Sequence, residues 1–150
     1  MSSPPFDLSQ AHRWFAVECN NGAWDLLESA SRTPDETLRL LHLAHAAAWH
    51  WDAVGGDLHR QRAECLLATA HTAANDAAAA LRHAERCLSR SVASAATETP
   101  FDRATALGCA ARAHSLAGNL AQAERLRTLA EAAAAALSAD EQAVFRRFYG

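Results

Sequence analysis

Lysine is absent from this 150-residue chain, so all 14 basic residues are arginine. Against them stand 17 acidic residues, for a formal net charge of −3, and no basic field of the kind that binds nucleic acid is present. Arginine-only usage suits planar recognition of carboxylates or phosphates. A base-composition bias of the coding genome yields the same alanine-rich, lysine-free pattern and is the simpler reading. Alternating runs of β-branched residues are missing, which argues against strands. No stretch reaches the ~20 apolar residues of a membrane span, and the start, MSSPPFDLSQ, lacks a charged segment followed by an apolar one. A soluble, cytoplasmic protein with no membrane partner is expected. The four cysteines, Cys19, Cys65, Cys87 and Cys109, form neither a CxxC pair nor a zinc-ligand spacing. Each falls in a helical apolar pattern and reads as an unpaired thiol buried as a small hydrophobe. Nucleophile elbow, phosphate-cradling loop and dinucleotide fingerprint are also missing, because Gly55-Gly56 follows a helical pattern and not a strand. No cofactor and no enzymatic activity are expected.

What is present is helix. Half of the chain is hydrophobic and alanine supplies much of that, so close helix-on-helix packing must compensate for the small apolar area of each residue. A single domain over residues 1–150 follows from the length. Thr33-Pro34-Asp35-Glu36 has the form of a capping box with proline at the first helical position. Ser138-Ala139-Asp140-Glu141 repeats it, Thr99-Pro100-Phe101-Asp102 approximates it, and Asn119 with Gln122 is a weaker version. Gly22, Gly55-Gly56 and Gly118 read as stops, each a C-terminal glycine in the left-handed region. The spacing predicts eight helices, over 8–20, 23–31, 34–53, 57–74, 76–91, 100–117, 119–137 and 139–149, with Ser91 to Thr99 as a loop or helix extension. Short connections make consecutive helices antiparallel neighbours.

Two windows repeat. LLATAHTAANDAAAALRHAERCL and CAARAHSLAGNLAQAERLRTLAE align at an offset of 43 residues, pairing Ala68 with Ala111, His71 with His114, Asn75 with Gly118, and Ala80 with Ala123. In this order of small, ring, turn and small positions the chain resembles the tetratricopeptide (TPR) family of helix-turn-helix repeats. The repeat is longer than that family's 34 residues, histidine stands where tyrosine is usual, and the closing proline is missing. A narrower series is similar to a group of small bacterial TPR-like proteins: His50-Trp51, Val54-Gly55, Arg60, Arg62, Ala63, Glu64, then HAERCL and FDRATALGCAARAHSLAG. The resemblance implies an all-α fold of antiparallel hairpins in a TPR-like right-handed array. It implies no activity, and by analogy a protein or peptide segment is the expected partner.

The helix from Pro34 to Ala53 is apolar on two sides. Leu40, Leu43, Ala44, Ala47 and Trp51 form one stripe, and Leu38, Leu41, His45, Ala48 and Trp49 another, with His42 beside it. Such a helix is packed on both sides or borders a groove. A binding groove is therefore expected to involve His42, His45, Trp49, His50, Arg60 and Arg62. His42 and His45, three apart, can share a divalent metal ion, in a metal-binding helical protein or an enzyme, if a further ligand comes from His12, His59, His71, His83, His114 or a carboxylate. Packed or solvated histidines are the simpler reading, and no metal is assigned from sequence. His50 is placed to cap the helix end. Arg60 and Arg62 anchor a partner's carboxylate or, more simply, tie the hairpin, with Glu64 within reach of Arg60. His71 and His114 read as rings wedged between paired helices. In VFRRFYG, the rings Phe145, Phe148 and Tyr149 either cap the last hairpin or form a homodimer patch in a self-associating module.

Overall fold

Thr33 and Glu36 bond to one another in both directions at the start of the second helix. In the computed structural model, which describes residues 4–150, Thr33 Oγ1 accepts from the Glu36 amide at 3.2 Å and Glu36 Oε2 accepts from the Thr33 amide at 2.8 Å. Two of the four amides that a helix start leaves without partners are thereby satisfied. Thr99 with Asp102 and Ser138 with Glu141 form the same box, while Asp7 and Asp76 cap with their carboxylates. Asn119 makes no side-chain cap bond. The fold is all-α, with seven helices and no strand among the described residues: α1 (Leu8–Glu28), α2 (Pro34–Val54), α3 (Asp57–Ala73), α4 (Ala77–Ala93), α5 (Pro100–Leu116), α6 (Leu120–Ala134) and α7 (Ala139–Tyr149). No helix is long and apolar enough to cross a membrane among the described residues.

Two glycine expectations are corrected. Gly22 is not a stop, because α1 runs through it to Glu28 and merges the first two predicted helices. Its missing side chain serves packing instead, since a Cβ there would meet Leu43 Cδ1 of α2 at 3.2 Å. Gly55 does follow a helix, but at φ −88° it is not left-handed. A Cβ at Gly55 would stand 2.7 Å from the Trp51 carbonyl oxygen and 2.8 Å from His59 Cβ, so what it supplies is room for α3 to turn back. The left-handed turn residues are Gly118 at φ 79° and Asn75 at φ 60°, the two positions that the sequence repeat pairs.

Contacts across the first three pairs of consecutive helices join residues on either side of a short turn, as antiparallel neighbours do. His12 meets His50 between α1 and α2, Arg60 meets Asp52 between α2 and α3, and Glu64 meets His83 between α3 and α4. Helices α3 and α5 run in the same sense, because Arg62 meets Asp102 and Cys65 meets Thr105 at a constant stagger. Their shared neighbour α4 packs against both.

Alanine dominates the interior, with Ala68, Ala80, Ala84, Ala104 and Ala110 fully buried. Each methyl stabilises by only about 0.8 kcal/mol, so the packing relies on many close helix approaches. Gly108 in α5 is one of them. A Cβ there would lie 2.7 Å from Tyr149 Cβ, and α7 seats at that gap. Phe145 and Tyr149 are buried, and Phe148 packs edge-on against Trp24 at 4.9 Å.

Candidate metal centre

His71 and His83 lie on opposite arms of the hairpin that turns at Asn75 and Asp76, and His45 and His71 on opposite arms of the one that turns at Gly55 and Gly56. The hairpins accordingly bring one imidazole each from α2, α3 and α4 together. One ring nitrogen of each lies within 4.8 Å of the others. His45 Nε2 is 3.1 Å from His71 Nε2, and the rings of His71 and His83 stack at 5.4 Å and 12°.

The far sides of the two buried rings face carboxylates. Glu64 Oε2 accepts from His83 Nδ1 at 2.7 Å, which leaves Nε2 of that ring for an ion. Glu64 is itself buried, and its other oxygen faces Arg90 at 3.8 Å and Arg86 at 3.9 Å. His71 Nδ1 lies 3.3 Å from Asp76 Oδ2 but is not aligned as a hydrogen bond, so this buried nitrogen has no bonded partner. Asp76 is held by its second task as the α4 cap, accepting from the Ala79 amide at 3.1 Å. Carboxylates behind metal-binding imidazoles fix ring orientation and raise ligand basicity.

Burial lowers the pKa of His45, with a further push from His83, and burial followed by His83 and His45 lowers that of His71. Both shifts favour the neutral ring, the form that donates a lone pair to a metal. The proton shared by the two Nε2 atoms at 3.1 Å is the group that a cation would replace. His45 is the exposed member and the other two are buried, so the open side of the cluster lies at His45. The donor set, three imidazole nitrogens with one side open, fits zinc or a neighbouring first-row divalent ion with a fourth position free.

The remaining predicted residues do not converge here. His42 is exposed and lies outside the cluster, so His45 joins imidazoles from two other helices and not its neighbour three residues back. Trp49 is 71% exposed. His50 does not cap its helix. It reaches α1, with Nδ1 2.8 Å from His12 Nδ1 and its ring stacked on Phe15 at 5.4 Å. Arg60 ties the α2–α3 turn through Asp52 at 3.4 Å and Asp57 at 3.5 Å. Its expected partner Glu64 is turned inward to His83 instead. Arg62 forks onto Asp102 of α5. Sequence spacing offered His71 and His83 only among the further ligands open to His42 and His45, read His71 as a packed ring, and singled out neither Glu64 nor Asp76 for this site, because the partners lie on different helices. Comparison with protein families, with curated proteins and with solved structures finds no match to this chain.

Proposed function

We propose that this chain is a metal-binding helical protein that holds a divalent transition ion on His45, His71 and His83. The observation that carries this reading is the convergence of three ring nitrogens within 4.8 Å, with Glu64 and Asp76 behind the two buried rings. Glu64 orients the His83 ring through its bond to Nδ1, burial favours the neutral form of His71, and the exposed side at His45 admits an exchangeable ligand. The test is metal analysis of the chain purified without a histidine tag from zinc-supplemented cells. A near-stoichiometric ion, lost in His71→Ala, is expected. Metal-free protein after supplementation overturns the reading.

A second reading, docking of a protein or peptide segment along the outer face of α2, is favoured by Trp49 at 71% and Leu38 at 52% exposure, with His42 between them. Under this reading the hairpins form a TPR-like right-handed array. The left-handed conformation of both Asn75 and Gly118, at equivalent places in the repeat, supports that architecture. Arg60 and Arg62 are occupied by Asp52, Asp57 and Asp102, so the docking face is apolar and aromatic, not a carboxylate clamp. Self-association through Phe145, Phe148 and Tyr149 requires α7 to lift, because Phe145 and Tyr149 are buried beside Gly108 of α5 and Phe148 packs on Trp24 of α1. Light scattering of the chain and of a Val144→Asp variant at that exposed position distinguishes a dimer from a monomer.

A further inference from the structure

Cys65, Cys87 and Cys109 come from α3, α4 and α5, yet their sulfurs all lie within 4.8 Å of one another. They are the unpaired, buried thiols expected from the sequence, and the fold gathers them in one place. Cys65 and Cys87 are equally far along the chain from Asp76, and Cys87 and Cys109 equally far from Glu98, so the antiparallel arms return all three to one height. They are unpaired and 7%, 0% and 1% exposed. The thiols of Cys65, Cys87 and Cys109 donate to the carbonyls of Thr105 at 3.7 Å, Gln61 at 3.6 Å and Ala106 at 3.3 Å. The Tyr149 hydroxyl stands 3.4 Å from Cys65 Sγ.

We propose that these three cysteines form a soft-metal site that takes one Cu(I) ion, separate from the imidazole cluster. Packing alone needs only small apolar groups, and alanine fills such positions throughout this core. Three mutually adjacent sulfurs add what alanine lacks, a polarisable donor set selective for soft cations. Structural zinc takes four strong ligands in a tetrahedron, whereas the fourth group here is a neutral phenol. Three sulfurs suit the lower coordination of a monovalent ion. Two thiols give their protons to solvent as their Cu–S bonds form, and the third coordinates as a neutral thiol, which limits the buried centre to one net negative charge. No electron is transferred, so the ion must arrive already reduced. Access is through a cavity of about 340 Å³ that reaches Cys65 between Trp24, Phe101 and Phe148, with the Arg62–Asp102 pair also lining it.

The test is Cu(I) titration of the reduced, metal-free full chain against a Cu(I)-specific chelator, with X-ray absorption of the loaded protein. One Cu(I) per chain in a sulfur-only coordination sphere is expected. Cys87→Ala should weaken binding by at least the roughly 10–100-fold that loss of a supporting partner costs a metal site. Cys19→Ser should bind as the parent does, because Cys19 is outside the cluster. Should Cys87→Ala fail to fold, the spectrum of the parent still decides. Nitrogen ligands would place copper on the imidazoles and overturn the proposal, as would failure to hold Cu(I) against the chelator or loss of binding in Cys19→Ser.

Discussion

Arg62 grips Asp102 with both arms of its guanidinium, Nε to Oδ1 at 2.7 Å and Nη2 to Oδ2 at 2.9 Å, and so joins α3 to α5 across a stagger of one hairpin. Asp102 is 5% exposed and also accepts from the Thr99 hydroxyl and amide. Burial raises the pKa of its carboxyl, but the bonds from Arg62 and then Thr99 outweigh burial, and the net shift is downward.

A lowered carboxylate pKa stabilises the fold above its unfolded value, near 3.9, and that contribution disappears as pH falls through the lower folded value. Urea denaturation at pH 7 and pH 3 should show a loss of stability in acid that shrinks in Arg62→Ala. At pH 7 the variant should be less stable by about 1–3 kcal/mol, toward the low end because the Arg62 side chain is 52% exposed. Equal acid sensitivity in parent and variant would remove Asp102 from the account.

Gly108→Ala sets helix propensity against packing. Replacing a mid-helix glycine gains roughly 1 kcal/mol, but the new Cβ would sit 2.7 Å from Tyr149 Cβ and 3.2 Å from Phe145 Cε2. Overpacking of this kind costs about 1–3 kcal/mol, and the Tyr149 contacts, Cβ at 2.7 Å and Cγ at 2.9 Å, are where that ring joins its helix and cannot swing away, so packing wins. The expected outcome is a lower denaturation midpoint together with faster proteolysis in α7. A stabilised variant would show that α7 moves aside freely.

Glu64→Gln keeps an oxygen acceptor for His83 Nδ1 and removes the charge behind the ring. Zinc affinity measured by competition should fall by roughly 10–100-fold, with helicity unchanged. His83→Ala should lose more, because a ligand disappears and not its support. If Glu64→Gln binds zinc as the parent does, the carboxylate is structural only.

Trp49→Ala removes a side chain that is 71% exposed, so stability should shift by no more than about 0.5 kcal/mol. If α2 is a docking face, the same variant should lose a specific partner in a pull-down from the native host. Retention of that partner would move the docking site off α2.

Capping chemistry was the most readable part of the sequence. Thr33, Thr99 and Ser138 act within four residues, and such local bonds are visible in a string of letters. Gly22 misled because its reason lies on another helix: the space it leaves is filled by Leu43. Glu64 misled likewise, since helical spacing offered Arg60 while the buried side of α3 offered His83. The pairing of His42 with His45 used only the spacing within one helix. The imidazole and thiol clusters each draw on three helices, so finding them needs the turns placed first and the arms folded about them. The double glycine after Trp51 looked conformational, but Gly55 is needed for the approach of His59, and the left-handed turns are at Asn75 and at Gly118, of which only the glycine was expected.

Helix α3 contributes Cys65 and Ala68 to one apolar cluster, and Leu66, Leu67 and Ala70 to the other. Neither cluster closes without it, so the N-terminal and C-terminal halves share a wall and have no boundary along which to melt separately. Unfolding should be one cooperative transition, and the amides of α3 should be the slowest in the molecule to exchange with deuterium. Loading an ion at His71 or Cys65 would then be felt as a higher melting temperature of the entire chain, even at helices far from the ion.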